Sequence, residues 1–172
     1  MVRTSDRCGQ RSGVAGEVRI VIVHMLSGLT GIVSGLVVVG GMFARKRMRK
    51  WVAVFLSATL AACVTGFYFL PVGGFTSAQC VGLFCSILLG MASYAFYIQE
   101  LAGNWNQVYA VAVVEALFLN VLIAIAQSFQ HFRFLKDLAP TQSSPIYVAV
   151  KLALLILFIA IGVLAAKRAG HA

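Results

Sequence analysis

Apolar residues run along this chain in five long blocks separated by short polar stretches: 20–43, 51–70, 77–98, 105–128 and 146–166. At a rise of about 1.5 Å per residue, each block crosses a hydrocarbon core of about 30 Å as an α-helix. In lipid every backbone N–H and C=O must bond within its own segment, and the alternating, roughly ten-residue segments of a β-barrel are missing. The pattern predicts an all-α fold, a polytopic transmembrane helix bundle of about five spans forming one domain over 20–166.

The separators read as turns. Arg45-Lys46-Arg47-Met48-Arg49-Lys50 is a compact basic link between the first two spans. Pro71-Val72-Gly73-Gly74 is turn chemistry, and Thr76 or Ser77 suits the cap of the following helix. A polar link from Gln99 to Asn104 ends at Trp105, a residue type favoured at membrane interfaces. The longest link, 129–145, ends in Ser144 and Pro145, a cap followed by a first-turn proline. Residues 1–19 form a basic, polar N-terminal tail, expected to be mobile, and 167–172 a short basic C-terminal tail. The 24-residue apolar run after the N-terminal tail exceeds the core of a signal peptide and has no small-residue cleavage pattern, so it reads as a span.

Composition agrees. Of 172 residues, 60% are hydrophobic and 11% charged, against roughly 25% charged in soluble domains. Only Glu115 and Lys151 place a charge inside a span. The net charge of +9 fits loops held against anionic lipid headgroups and gives no nucleic-acid motif. Lys and Arg number six on one side of a five-span arrangement and seven on the other. The compact basic turn decides the orientation: it goes to the cytoplasm, with the N-terminus outside and the C-terminus inside.

Two spans carry small-residue faces. Ser27, Gly31 and Gly35 in the first, with Gly28 and Ser34 beside them, and Gly82, Ser86 and Gly90 in the third, let helices approach closely. They serve packing within the chain or a homo-oligomer face.

Glu115 lies ten residues into its span, about 15 Å deep, where a charged carboxyl costs about 3 kcal/mol. On the same helix Tyr109, Asn120, Gln127 and His131 share a stripe about 40° wide, with Glu115 at its margin. The stripe suits either a proton or cation relay or interhelical hydrogen bonding. His24, Gln127, His131, Tyr147 and Lys151 fall at one level and could form a polar layer, although Lys151 also reaches the interface by snorkelling.

A haem or quinone site near His24 and His131 is the redox alternative, with Met42, Met48 or Met91 as further axial ligands for haem, but only His24 lies within a span. No metal motif and no Cys-x-x-Cys occurs; Cys8, Cys63, Cys80 and Cys85 read as small apolar residues apart from Cys8 in the tail. Nothing matches a nucleophile elbow, a His-Glu-x-x-His helix or a phosphate loop.

The segments His24-Met25-Leu26-Ser27-Gly28, Thr65-Gly66-Phe67, Leu119-Asn120-Val121, Gln127-Ser128-Phe129 and Leu138-Ala139-Pro140-Thr141-Gln142-Ser143 give the chain a resemblance. It resembles small bacterial inner-membrane proteins of a domain-of-unknown-function family across most of 24–160. The resemblance implies a bacterial plasma membrane location and does not point to any particular activity. Such proteins carry a histidine in the basic turn, where this chain has Met48, so a ligand or proton carrier at that place is not expected here. The sequence thus leads to a multi-pass membrane protein without a cofactor, non-catalytic or transport-related around Glu115, with a redox protein or a purely structural subunit as the rival classes.

Overall fold

A computed structural model describes residues 5–68, 77–139, 141 and 143–170, with side chains from residue 16 onward except those of 17, 68, 77 and 78. The described residues form α1 (Ser5–Phe43), α2 (Arg49–Tyr68), α3 (Ser77–Ser93), α4 (Trp105–His131), the short α5 (Arg133–Leu138) and α6 (Pro145–Gly170). One π-helical turn, Tyr94–Ile98, extends α3. Five of these helices are long and apolar enough to cross a membrane, and no strand occurs among the described residues.

The expected boundaries hold to within a few residues where they are described. The apolar part of α1 is Val18–Phe43, but its helix begins at Ser5, so the segment expected as a mobile tail continues the first span as helix. No proline interrupts 5–19, and the backbone bonds already running in the span propagate outward. At the start of α6 the carbonyl of Ser144 accepts from the amide of Val148, the cap-then-proline start the sequence suggests. The Pro71 to Gly74 turn, Thr76, and the last two positions of the expected second span lie outside the described residues.

α4 is the central helix. Half of its most apolar window is buried within the chain, against 17% for α1 and 11% for α6. α1, α3 and α6 all pack against it, while α2 pairs chiefly with α1. Large apolar side chains such as Leu29 and Ile156 point outward from the outer helices, at 60% and 68% exposed. Lipid, not water, is the solvent that suits such a surface.

With no hydrophobic drive between helices in lipid, close approach must come from small residues. Two glycines of α1 supply it. A Cβ at Gly31 would stand 2.6 Å from Nδ2 of Asn120 and 2.7 Å from Oγ1 of Thr59; one at Gly35 would stand 2.7 Å from Leu117 and 2.8 Å from Phe55. At these two positions the α1 stripe packs against α2 and α4. On α3, Gly82 touches Phe67 of α2, the Ser86 hydroxyl donates to the Gly82 carbonyl, and Gly90 faces open space.

Candidate functional site

The polar residues of the spans collect along the α1–α2–α4 joint at separate levels. At one end, His24 Nδ1 lies 3.0 Å from both the Ala62 carbonyl and Thr65 Oγ1 on α2, and its Nε2 lies 3.4 Å from Nε2 of Gln127 on α4. The Gln127 amide donates to Nε2, which assigns the ring proton to Nδ1, facing the carbonyl. About 10 Å along α4 from Gln127, Asn120 donates to Oγ1 of the fully buried Thr59 at 3.5 Å. Ser34, 1% exposed, returns its hydroxyl to the Thr30 and Gly31 carbonyls. These bonds tie three helices together.

The residues of the stripe meet different neighbours. Tyr109, Asn120 and Gln127 do turn inward, but to different neighbours: Tyr109 meets the ring of Phe96, Asn120 meets Thr59, and Gln127 meets His24. His131 is exposed at the end of α4. Glu115 points away from the joint, half-buried, and makes no hydrogen bond or ion pair among the described residues. A turn before it on the same side of α4, Val111 is 43% exposed. Five residues separate Glu115 from Asn120, about 140° around the helix, and that angle keeps the carboxyl out of the polar joint.

The expected polar layer also divides. His24 and Gln127 meet, whereas Lys151 lies 5.0 Å over the ring of Tyr147, which packs on Phe129. Lys151 is exposed. The structure does not bring the candidate haem ligands together. Both ring nitrogens of His24 are committed, His131 is exposed, Met48 packs over Gly41 and Met91 is exposed. Among the described residues no three His, Cys, Asp or Glu side chains form a metal-ligating group.

A second region of interest is a cavity at the other end, where the basic turn, the 99–104 link and the last turn of α6 converge. It holds about 220 Å³. Its floor is apolar, with Val38, Val52, Phe96, Ala110 and Ala165; Tyr109 and Asn106 add polar atoms, and Arg45, Lys46, Arg47 and Arg168 stand around it. A smaller cavity of about 140 Å³ at the opposite end is lined by Ala126, Phe129, Gln130, Lys136 and Tyr147 among others.

Local structure explains how the chain builds this pocket. α1 ends in a turn where the amides of Ala44, Arg45 and Lys46 donate back to Gly40, Met42 and Gly41. Met48 closes against Gly41, which leaves no space for a Cβ. Arg45, Glu100 and Leu101 are the non-glycine residues with left-handed backbone among those described, at φ of 53°, 48° and 64°. Each such residue costs on the order of 1 kcal/mol or more, and all three lie in the two links that frame the pocket. The π-helical turn is here too, carrying Phe96 to the wall opposite Tyr109, with ring centroids 5.3 Å apart. π-turns inside α-helices concentrate at functional sites.

Side chains then lock the rim. Arg47 donates to the Glu100 carbonyl at 3.1 Å, Asn106 to the Ala169 carbonyl at 2.9 Å, and Arg168 to the Phe43 carbonyl at 2.6 Å while lying 5.4 Å over the Phe43 ring. Arg45 and Lys46 have no such tie. Tyr109 is 4% exposed and makes no hydrogen bond within the described residues, so its hydroxyl remains uncommitted on the pocket wall.

Sequence reasoning did not find this site. The sequence groups Tyr109 with Asn120, Gln127 and His131 and reads the basic turn as a link held against anionic headgroups. The available signal was the pairing of a six-residue basic turn with Lys167-Arg168 on the same side of a five-span chain.

Fold and site together define a multi-pass α-helical protein with an interhelical polar joint and a basic-rimmed pocket at one end. In comparisons with known proteins, no family model matches the chain, and neither a curated protein nor a solved structure matches it at a significant level.

Proposed function

We propose that this is a membrane-embedded binding protein whose ligand is an anionic amphiphile seated in the basic-rimmed pocket. The observation that carries the reading is the cavity itself, about 220 Å³ with an apolar floor and four cationic side chains at its rim. Such a site rewards an apolar body carrying an anionic head, because the floor excludes water and the rim supplies charge-assisted hydrogen bonds. Binding, not catalysis, is the role these groups support. The setting is a bacterial plasma membrane with the basic end in the cytoplasm, which the compact basic turn and the resemblance favour. A C-terminal reporter active only outside the cytoplasm contradicts that orientation.

The test uses the purified full chain in a neutral detergent, titrated with oleate and with oleyl alcohol. Oleate is expected to bind at least about tenfold more tightly, the worth of one charge-assisted contact. Ala169→Trp, which fills the cavity without removing a cation, is expected to abolish the difference. Equal binding of acid and alcohol, or unaltered binding in the variant, overturns the reading.

A second reading, a proton or cation relay, is favoured by Glu115 alone, a half-buried carboxyl within a span with no hydrogen-bond partner among the described residues. It predicts proton-coupled flux in proteoliposomes that Glu115→Gln abolishes; flux unchanged in the variant removes it.

A further inference from the structure

We infer that the pocket selects a phosphate ester over a carboxylate as the anionic head, an inference that rests on the binding reading above. Four cations converge on one opening and no carboxylate lines it. Glu100, the acidic residue of the neighbouring link, is engaged through its backbone carbonyl by Arg47 and does not line the cavity. A carboxylate presents two oxygens in one plane and is satisfied by a single guanidinium fork. A phosphate ester presents its oxygens in several directions, and donors arriving from different helices can each take one.

The donors here do come from different segments. Arg45, Lys46 and Arg47 enter from the link after α1, Arg168 from the end of α6, and the Tyr109 hydroxyl from α4. Arg47 and Arg168 each spend one N–H on a backbone carbonyl, which fixes their guanidinium groups and leaves further N–H donors for a ligand. Arg45 and Lys46 carry no internal bond. The Tyr109 hydroxyl lines the cavity and makes no hydrogen bond among the described residues, so it is open to a ligand oxygen.

The phosphate ester has two possible sources, the headgroup of an anionic lipid or a soluble phosphate compound. The apolar floor of Val38, Val52 and Ala165 favours the first.

Native mass spectrometry and calorimetry on the full chain in neutral detergent separate these. The probes are short-chain phosphatidylglycerol and phosphatidic acid, oleate, and inorganic phosphate. Both phospholipids are expected to bind at least about tenfold more tightly than oleate, since two or more added charge-assisted contacts replace one. Lys46→Gln with Arg168→Gln is expected to erase that preference, while Lys50→Gln, an equal loss of charge per site on an exposed residue that does not line the pocket, retains it. Lys46→Gln alone, which removes no internal bond, reports on recognition should the double variant fold poorly. Lipid binding that millimolar inorganic phosphate does not displace places the ester on a lipid. Displacement by phosphate places it on a soluble compound and retains the class. Oleate binding as tightly as the phospholipids overturns this inference and leaves the binding reading intact. Absence of binding by any anionic amphiphile overturns both.

Discussion

Arg168 donates through Nη1 to the backbone carbonyl of Phe43 at 2.6 Å, joining the last turn of α6 to the last turn of α1. These two helices otherwise touch only lightly, each packing mainly on other partners. The contact therefore holds one side of the pocket. It also stacks a planar cation on the Phe43 ring, which lysine reproduces poorly. Arg168→Ala is expected to lower stability by about 1 kcal/mol and Arg168→Lys by about half of that, read by denaturant titration in mild detergent. Equal stability in all three proteins contradicts the role assigned to the contact.

Gly31 and Gly35 stand where α2 and α4 close on α1. Alanine at either forces Asn120, Thr59, Leu117 or Phe55 to move, a strain of about 1–3 kcal/mol. At Gly90, which faces open space, the same change is expected to alter stability by less than about 0.5 kcal/mol. Thermal unfolding of the three variants checks the contrast, and a loss at Gly90 as large as at Gly31 goes against the packing described.

The hydrogen bond from Asn120 to Thr59 crosses from α4 to α2. Interhelical bonds of this kind average about 0.6 kcal/mol in membrane bundles. A double-mutant cycle of Asn120→Leu with Thr59→Val is expected to give a coupling of that order. The corresponding cycle of Asn120→Leu with Glu115→Gln is expected to give none, because the two side chains face different neighbours.

Glu115→Gln removes no hydrogen bond present among the described residues. Replacing a carboxyl at membrane depth by a neutral amide is therefore expected to leave stability unchanged or raise it, by up to about 3 kcal/mol. A loss of more than about 1 kcal/mol reveals a partner that the described residues do not include.

Helix number and approximate limits were legible in the chain because lipid imposes them: an apolar run of 20 or more residues has one regular way to satisfy its backbone. The small-residue face of α1 was legible for the same reason, and Gly31 and Gly35 carry it. Which helix α4 would face at each level was not legible. Helical spacing places Tyr109, Asn120 and Gln127 on one side, but their partners Phe96, Thr59 and His24 come from three other segments, and only the packing order decides who meets whom. The pocket was hidden for a related reason. Its rim comes from residues separated by over 120 positions, such as Arg45 and Arg168, and a basic turn in isolation reads as an anchor to lipid headgroups.

Whether the basic end holds a ligand or is filled by its own side chains is decided by a structure of the full chain in nanodiscs containing phosphatidylglycerol. Density for an anionic headgroup is expected within hydrogen-bonding distance of Arg168 and Lys46, with an apolar tail along Val38 and Ala165. A pocket closed by its own side chains, with lipid headgroups ordered elsewhere, contradicts the binding reading.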